Sequence, residues 1–169
     1  ILDRPGPALL MILDTIQDPG NLGTILRAGE GAGITGVIMN DTTADIYNPK
    51  VIRSTMGSVC RVPFSHLFCN FLPTHFVNIF ECCCPPAFAV IHIVRLYAAH
   101  LEGRNNYEKE DYTVDTGFLI GNEANGLSSE TASMADAYVK IPMMGKVESL
   151  NAAVAASVLM FEAARQRRN

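Results

Sequence analysis

The sequence lacks the features of a membrane-spanning or secreted protein. Its most apolar window, residues 79–98, is a poor membrane span because Glu81, Arg95 and two adjacent prolines interrupt it. No basic segment followed by an apolar run opens the chain, so we predict no secretory signal. The chain begins at Ile1, just ahead of a predicted strand, and so resembles part of a longer protein. We expect a cytoplasmic protein, or an organellar one if a targeting segment has been removed.

Cysteine occurs in an odd number and in no metal-binding pattern. Five cysteines favour a reducing compartment with free thiols. Three of them, Cys82, Cys83 and Cys84, are consecutive, and no second, spaced pair of the kind that binds zinc accompanies them. The sequence therefore predicts free thiols and no metal site.

Net charge is small and negative. A formal charge of −4 argues against a protein that binds nucleic acid over its whole surface. A local basic patch remains compatible with RNA binding. The candidates for such a patch are Arg27, Lys50, Arg53, Arg61, Lys140 and Lys146. With 169 residues, 49% of them hydrophobic, the chain is long enough for one α/β domain with its own core.

Apolar runs alternate with helical patterns along the chain. This alternation predicts an α/β fold with a mainly parallel sheet and helices on both faces. The predicted strands cover residues 8–13, 36–39, 87–97, 116–120 and 138–141, and residues 59–64 are predicted as a short strand or an extended segment. The predicted helices begin at Asn21 and cover 49–56, about 128–135 and 149–167.

The starts of the helices have capping signals. Asn21 and Ser149 are predicted N-caps, and Ser128 or Ser129 is predicted to cap the helix at about 128–135. Asn48 is followed by Pro49, a favoured first helical residue. The last helix is predicted to bury an apolar face. Its members are Leu150, Ala153, Val154, Val158 and Phe161.

Residues 31–36 match the pattern G-x-G-x-x-G. A dinucleotide fingerprint follows a strand and opens a helix, whereas this segment follows a helix and opens a strand. Its glycines are better explained as a helix C-cap and a turn. This reversed context weighs against a dinucleotide-binding enzyme such as a dehydrogenase.

Polar residues follow three predicted strands at the edge where open α/β sheets hold ligands. His100 follows one strand, and Glu123 follows Gly121, which permits close approach of the backbone, after another. The last strand ends in a loop that carries Lys146, Glu148, Ser149 and Asn151.

Three segments resemble the motifs of the SpoU/TrmH group of RNA 2'-O-ribose methyltransferases, within the SPOUT superfamily. They are NLGTILR at residues 21–27, LIGNEANGL at 119–127, and IPM through SLN at 141–151. Their order and approximate spacing also match. The resemblance covers most of the chain except roughly residues 67–95. That stretch lacks the polar face of an amphipathic helix, so it is either buried at an interface or locally aberrant.

The resemblance implies that S-adenosyl-L-methionine is the cofactor and that the product is a 2'-O-methylated ribose in RNA. It implies a SPOUT-type fold with a C-terminal trefoil knot, and a homodimer with RNA crossing both subunits. The residues carried over for catalysis are Asn21, Arg27, Glu123, Ser149 and Asn151, and those for cofactor binding are His100, Gly121, Ile141, Met143 and Leu150.

Arg27 is expected to act electrostatically on the developing 2'-oxyanion or the adjacent phosphate, because a guanidinium does not normally give up its proton. The chain is interpreted as a single catalytic domain, residues 1–169, without the N-terminal RNA-binding domain that many relatives carry. We expect the substrate to be ribosomal RNA. The alternatives are a tRNA methyltransferase, a non-catalytic RNA-binding module and another nucleotide-binding α/β enzyme.

Overall fold

The computed structural model describes residues 6–67, 94–101 and 103–168. These residues form seven strands and four α-helices. In chain order they are β1 (Leu9–Leu13), α1 (Pro19–Ala32), β2 (Gly36–Asn40), α2 (Pro49–Thr55), β3 (Phe64–Leu67), β4 (Arg95–Ala99), β5 (Asn105–Asn106), β6 (Thr116–Ile120), α3 (Ser129–Ser133), β7 (Ala137–Lys140) and α4 (Ala152–Arg167).

The seven strands form one sheet in the order β3-β2-β1-β6-β4-β7-β5, and every adjacent pair is parallel. The interior strand β1 pairs Met11 with Val37 of β2 on one side and with Phe118 of β6 on the other. Both β1 and β6 are fully buried, as expected for parallel strands covered on two faces. The predicted mainly parallel sheet is confirmed.

Two apolar cores lie on opposite faces of the sheet. Alternate residues of β1 point to opposite faces, so Met11 belongs to one core and Ile12 to the other. The larger core includes the buried residues of α1 and α4. Partly buried residues, among them Leu127, Met134 and Ala135, pack against the smaller core. Helices α1 and α4 thus cover one face of the sheet, and among the described residues the segments on either side of α3 cover the other.

Two of the predicted helix starts are wrong. The N-cap of α1 is Asp18, whose carboxylate accepts a hydrogen bond from Gly20 N at 2.8 Å, and Asn21 lies within the first turn. Because Asp18 precedes a proline, it forms the stronger start signal. The N-cap of α4 is Asn151, whose Oδ1 accepts from Ala153 N and Val154 N at 2.9 and 3.3 Å. Ser149 lies in the preceding loop.

Other predicted caps are confirmed. Asn48 caps α2 through Lys50 N, and Ser128 caps α3 through Thr131 N. Gly33 ends α1 in the left-handed region, with φ of 77°, so the glycine pattern at 31–36 is a helix C-cap.

The predicted apolar face of α4 is partly wrong. The buried residues include Leu159, Met160 and four alanines, whereas Val154 and Phe161 are 47% and 48% exposed. Helix α4 packs closely against the neighbouring α1, since a Cβ built on Gly29 of α1 would lie 3.5 Å from Met160 Sδ. Val154 and Phe161 lie on the outer side of α4.

The strand predicted at 59–64 is also wrong. A short 3-10 helix occupies Ser58–Cys60, and β3 begins at Phe64. The strand predicted at 87–97 begins outside the described residues. Cys82–84 and most of the 68–95 stretch also lie outside them. Cys60 is free and exposed. Among the described residues, no helix has the length and hydropathy to cross a membrane. The trefoil knot stays a prediction.

Candidate active site

A cavity of about 960 Å³ opens where the carboxyl ends of β4, β6 and β7 meet. All five residues predicted to bind a cofactor line it, together with Glu123 and Ser149. Other lining residues include Ala99, Leu101, Ile120, Val139, Glu148, Ala152, Ala155 and Leu159. The cavity lies where ligands bind in open parallel sheets, and its wall is largely apolar.

The loop after β6 folds back on itself and leaves Gly121 no room for a side chain. Asn122 and Gly126 exchange two backbone hydrogen bonds, of 3.0 and 2.9 Å, and Gly126 is left-handed with φ of 69°. A Cβ on Gly121 would lie 2.2 Å from Gly126 C and 2.3 Å from Leu127 N. The glycine is therefore needed for the turn that forms this wall of the cavity.

A second glycine, which the sequence reasoning missed, supports the opposite wall. Gly103 is buried, and a Cβ there would lie 2.8 Å from Val139 C. Gly103 N donates to His100 O at 3.0 Å, and His100 N donates to Val139 O at 3.0 Å. The imidazole of His100 packs at 5.4 Å from the ring of Tyr138. The segment after β4 is thus held against β7 by its backbone.

Side chains from the three motif segments are joined by hydrogen bonds beside the cavity. Asn151 Nδ2 donates to Asn21 Oδ1 at 3.1 Å, and Asn21 Nδ2 donates to the carboxylate of Glu123. Because Asn151 also caps α4, its carbonyl oxygen is already engaged. The start of α1, the loop after β6 and the start of α4 therefore meet at one place.

Of the five predicted catalytic residues, Arg27 is the one set apart. It lies on the exposed side of α1, does not line the cavity, and makes no hydrogen bond or ion pair with the described residues. Ser149 is exposed on the cavity wall, and within the described ranges its hydroxyl has no hydrogen-bond partner. Hence one chain brings together Asn21, Glu123, Ser149 and Asn151 but not Arg27.

The candidate basic residues are all exposed. Two of the six are engaged in ion pairs: Lys50 with Asp18 at 3.2 Å, and Arg61 with Glu30. Lys140 borders the cavity. Among the described residues, no group of three or more histidines, cysteines or carboxylates is arranged to hold a metal ion.

Asp14, directly after β1, is a buried carboxylate behind the loop that lines the cavity, and sequence reasoning passed over it. It is 6% exposed, and its carboxylate accepts hydrogen bonds from Ser128 N, Asn40 Nδ2 and Thr15 Oγ1. Burial raises the pKa of Asp14, but the hydrogen bonds outweigh burial and hold the pKa below its usual value. An acidic residue directly after a fully apolar run was the available signal.

The chain matches the family model described as the SpoU rRNA Methylase family over residues 8–161. It is 35% identical over 162 residues to the 23S rRNA (guanosine-2'-O-)-methyltransferase RlmB of Xanthomonas axonopodis, covering 96% of this chain and 60% of that protein. It is 30% identical over 152 residues to the 23S rRNA (guanosine(2553)-2'-O)-methyltransferase RlmP of Bacillus subtilis, covering 90% and 56%. The chain thus spans less than two thirds of the length of these relatives.

A solved structure has the same fold. The SpoU methyltransferase AviRb of Streptomyces viridochromogenes superposes with a TM-score of 0.85 at 33% identity, covering 99% of this chain and 62% of that one. Its complex with the cofactor AdoMet superposes with a TM-score of 0.81 at 32% identity, covering 99% and 63%. The matched region includes all three motif segments and the cavity they border, and on this evidence the chain belongs to the SpoU rRNA methylase family.

Proposed function

We propose that this chain is the catalytic domain of an S-adenosyl-L-methionine-dependent RNA 2'-O-ribose methyltransferase. The observation that carries the proposal is the hydrogen-bonded chain Asn151–Asn21–Glu123 at the border of the cavity. It joins three segments that are distant in sequence. Glu123 lines a ligand-sized cavity, and Asn151 lies between Leu150 and Ala152, which also line it. The names of the relatives, which describe rRNA 2'-O-methyltransferases, support the same activity.

The chemistry of the cavity fits S-adenosyl-L-methionine. Apolar residues such as Ile141, Met143 and Leu150 offer a slot for an adenine ring, and the glycine loop exposes backbone groups for its polar edge. Glu123 and Glu148 add negative charge near a ligand that carries a positive sulfonium. The AdoMet complex of AviRb, a protein of the same family, supports this assignment.

The same cavity fits a dinucleotide poorly. A pyrophosphate commonly binds the free amides at a helix N-terminus. At α4 the amides of Ala153 and Val154 are already bound by Asn151 Oδ1. No arginine is among the described residues that line the cavity. The reversed glycine pattern and this blocked helix start both weigh against a dehydrogenase.

The cofactor, when bound, supplies an electrophilic methyl group, so the protein must align the ribose hydroxyl and ease the loss of its proton. Asn151 and Glu123 hold Asn21 from both sides. The unengaged hydroxyl of Ser149 is available to orient the ribose. Arg27 stabilises the developing oxyanion or the neighbouring phosphate.

A homodimer explains why Arg27 lies away from its own cavity. Arg27 and Gly31 lie one turn apart on α1, and a Cβ on Gly31 would lie 3.6 Å from the ring of Phe161. Arg27 therefore lies one helical turn from the position that approaches Phe161, an exposed apolar residue of α4. A pair of subunits that buries Phe161 has Arg27 at the junction, where it serves the cavity of the other subunit.

Ribosomal RNA is the proposed substrate, because the relatives named above are 23S rRNA methyltransferases. A tRNA substrate is the second candidate, since another relative, from Staphylococcus saprophyticus, is named a putative TrmH family tRNA/rRNA methyltransferase. The proposed location is the cytoplasm.

The test compares Arg27→Ala and Arg27→Lys with the wild type in the full-length protein. We expect methyl transfer to RNA to fall by about 100-fold or more in the alanine variant, as for loss of one preorganised donor. Cofactor affinity, measured by calorimetry, should stay within a few-fold. Arg168→Ala, an exposed arginine at the far end of α4, is the control.

Activity retained within a few-fold by Arg27→Ala would remove the assigned role. Labelled methyl groups offered to purified rRNA and tRNA identify the substrate class. If the wild type methylates neither while binding the cofactor, the non-catalytic alternative is favoured.

A further inference from the structure

We infer that Asp14 is a positioning residue of the site: its buried carboxylate, together with Thr15, holds both ends of the loop that carries Glu123. The effect of this role on catalysis rests on the proposed function. The geometry itself is independent of that function.

Asp14 fixes the exit of the loop. Its Oδ2 accepts a hydrogen bond from Ser128 N at 2.9 Å, and Ser128 directly follows the segment 121–127 and caps α3. The backbone of Asp14 is itself anchored, because Asp14 N donates to Ile120 O at 2.8 Å. The carboxylate thus ties the far end of the loop to the end of β1.

Thr15 fixes the entrance of the same loop. Its carbonyl oxygen accepts a hydrogen bond from Asn122 Nδ2 at 2.9 Å. Thr15 has φ of 60°, a left-handed conformation that a β-branched residue rarely adopts without support. The support comes from Asn40 Oδ1, which accepts from Thr15 N at 3.0 Å, and from Asp14 Oδ1, which accepts from Thr15 Oγ1 at 3.1 Å.

A carboxylate is required at position 14 because both of its oxygens accept. Oδ2 faces Ser128 N, while Oδ1 faces Asn40 Nδ2 at 2.9 Å and Thr15 Oγ1. Asn40 cannot turn over to compensate, since its own Oδ1 accepts from Thr15 N and from Thr43 Oγ1 at 2.8 Å. An asparagine at position 14 has one acceptor oxygen and one NH2 group. Its NH2 group must therefore face a donor, either Ser128 N or the pair Asn40 Nδ2 and Thr15 Oγ1.

Glu123 lies between the two fixed points, and it accepts the hydrogen bond of Asn21. Loosening either end of the loop moves both Glu123 and Gly121, which line the cavity. Asp14 lies behind this wall and touches neither cavity nor substrate. Its effect is therefore exerted through the loop, on cofactor affinity as well as on catalysis.

The test is Asp14→Asn, matched with Thr35→Val. Thr35 is also buried, and its Oγ1 accepts from Leu9 N at 2.9 Å, at the opposite end of the same strand β1. Both variants remove a buried hydrogen bond of β1, but only Asp14 lies at the cavity end. We expect the Kd for S-adenosyl-L-methionine to rise by about tenfold or more in Asp14→Asn, as for loss of a hydrogen bond to a charged group. It should change by less than about threefold in Thr35→Val at a comparable fall in Tm.

Hydrogen exchange supplies a readout that does not depend on the cofactor. In Asp14→Asn we expect faster exchange of the amides at 121–128, with the amides of β2 still protected. Equal effects of the two variants on Kd and on loop exchange would overturn the inference. If the wild type does not bind the cofactor, the proposed function fails, and loop exchange still decides the role of Asp14.

Should Asp14→Asn not fold, the wild type itself decides. The Ser128 amide should then exchange as slowly as the amides of β6, because a buried carboxylate holds it. Exchange as fast as that of the exposed loop amides would contradict the inference.

Discussion

At the scale of single residues, Gly121 leaves the least freedom for substitution. Backbone atoms of Gly126 and Leu127 occupy the space that a Cβ would need, because they lie 2.2 to 2.3 Å from the position of a Cβ built on Gly121. Backbone atoms cannot yield as the end of a flexible side chain can. The whole turn must therefore open if any side chain is added here.

We predict that Gly121→Ala weakens binding of S-adenosyl-L-methionine by about tenfold or more, since overpacking typically costs about 1–3 kcal/mol. Gly145→Ala is the control, because a Cβ at Gly145 meets nothing within 4 Å. Calorimetric titration of both variants gives the comparison. An unchanged Kd in Gly121→Ala would show that the turn is not part of the binding wall.

The caps illustrate what sequence can predict about single residues. Asn48 and Ser128 were predicted because each precedes a clear first turn, and both are confirmed. Asn21 and Ser149 were wrong as caps because nearby Asp18 and Asn151 make the bonds instead. Local sequence offers several candidate acceptors, and the tertiary position of the first-turn amides selects among them.

At the scale of elements, α1 is fastened to the 3-10 helix at Ser58–Cys60 by a surface ion pair. Glu30 accepts hydrogen bonds from Arg61, one of them at 2.9 Å, and from Ser58. These bonds, with that of Arg61 first, lower the pKa of Glu30 from 4.5 to about 2. A lowered carboxyl pKa adds stability above the unfolded-state value, and this stability is lost as the pH falls.

We therefore predict a pH-dependent difference in unfolding free energy between the wild type and Glu30→Gln. The difference should be fully present above about pH 5 and shrink as the pH falls from about 4.5 towards 2. Because the pair is exposed, the effect should be small and should weaken further in high salt. Urea titrations at several pH values measure it, and a difference independent of pH would contradict the assignment.

The helix α4 shows where pattern reasoning on elements fails. The helical spacing of Leu150, Ala153, Val154, Val158 and Phe161 predicts one apolar face, and of these five residues only Ala153 is among the buried ones. The core instead takes Leu159, Met160 and four alanines. Periodicity identifies apolar stripes but cannot tell which stripe faces the neighbouring helix.

At the scale of the whole molecule, the exposed residues of α4 predict assembly. We expect Phe161→Asp to convert a dimer to a monomer, since it places a charge in the centre of the proposed interface. Val114→Asp is the control, because Val114 is 47% exposed and lies just ahead of β6, outside α4.

Light scattering after size exclusion reports the oligomeric state of both variants. Because each cavity is built within one chain, the monomer should still bind S-adenosyl-L-methionine within a few-fold. It should lose methyl transfer, since Arg27 would no longer reach a second cavity. A fully active monomer would rule out the proposed sharing of Arg27.

The parallel sheet and most element positions could be predicted, because buried parallel strands are apolar throughout, as in β1 and β6. The convergence of Asn21, Glu123 and Asn151 came from family resemblance alone. Hydrogen bonds join Asn21 to Glu123 and to Asn151, which lie 102 and 130 positions away from it along the chain. Spacing in sequence carries no information on such contacts, and for the same reason Asp14 was missed.

The strand order also determines how the sheet is completed during synthesis on the ribosome. One edge of β1 pairs with β2 soon after both have emerged, but its other edge pairs with Thr116–Ile120, which emerge much later. Until then the nascent chain contains the three strands β3, β2 and β1, and β1 has an open, apolar edge. Such an edge makes the emerging polypeptide prone to aggregation at this stage.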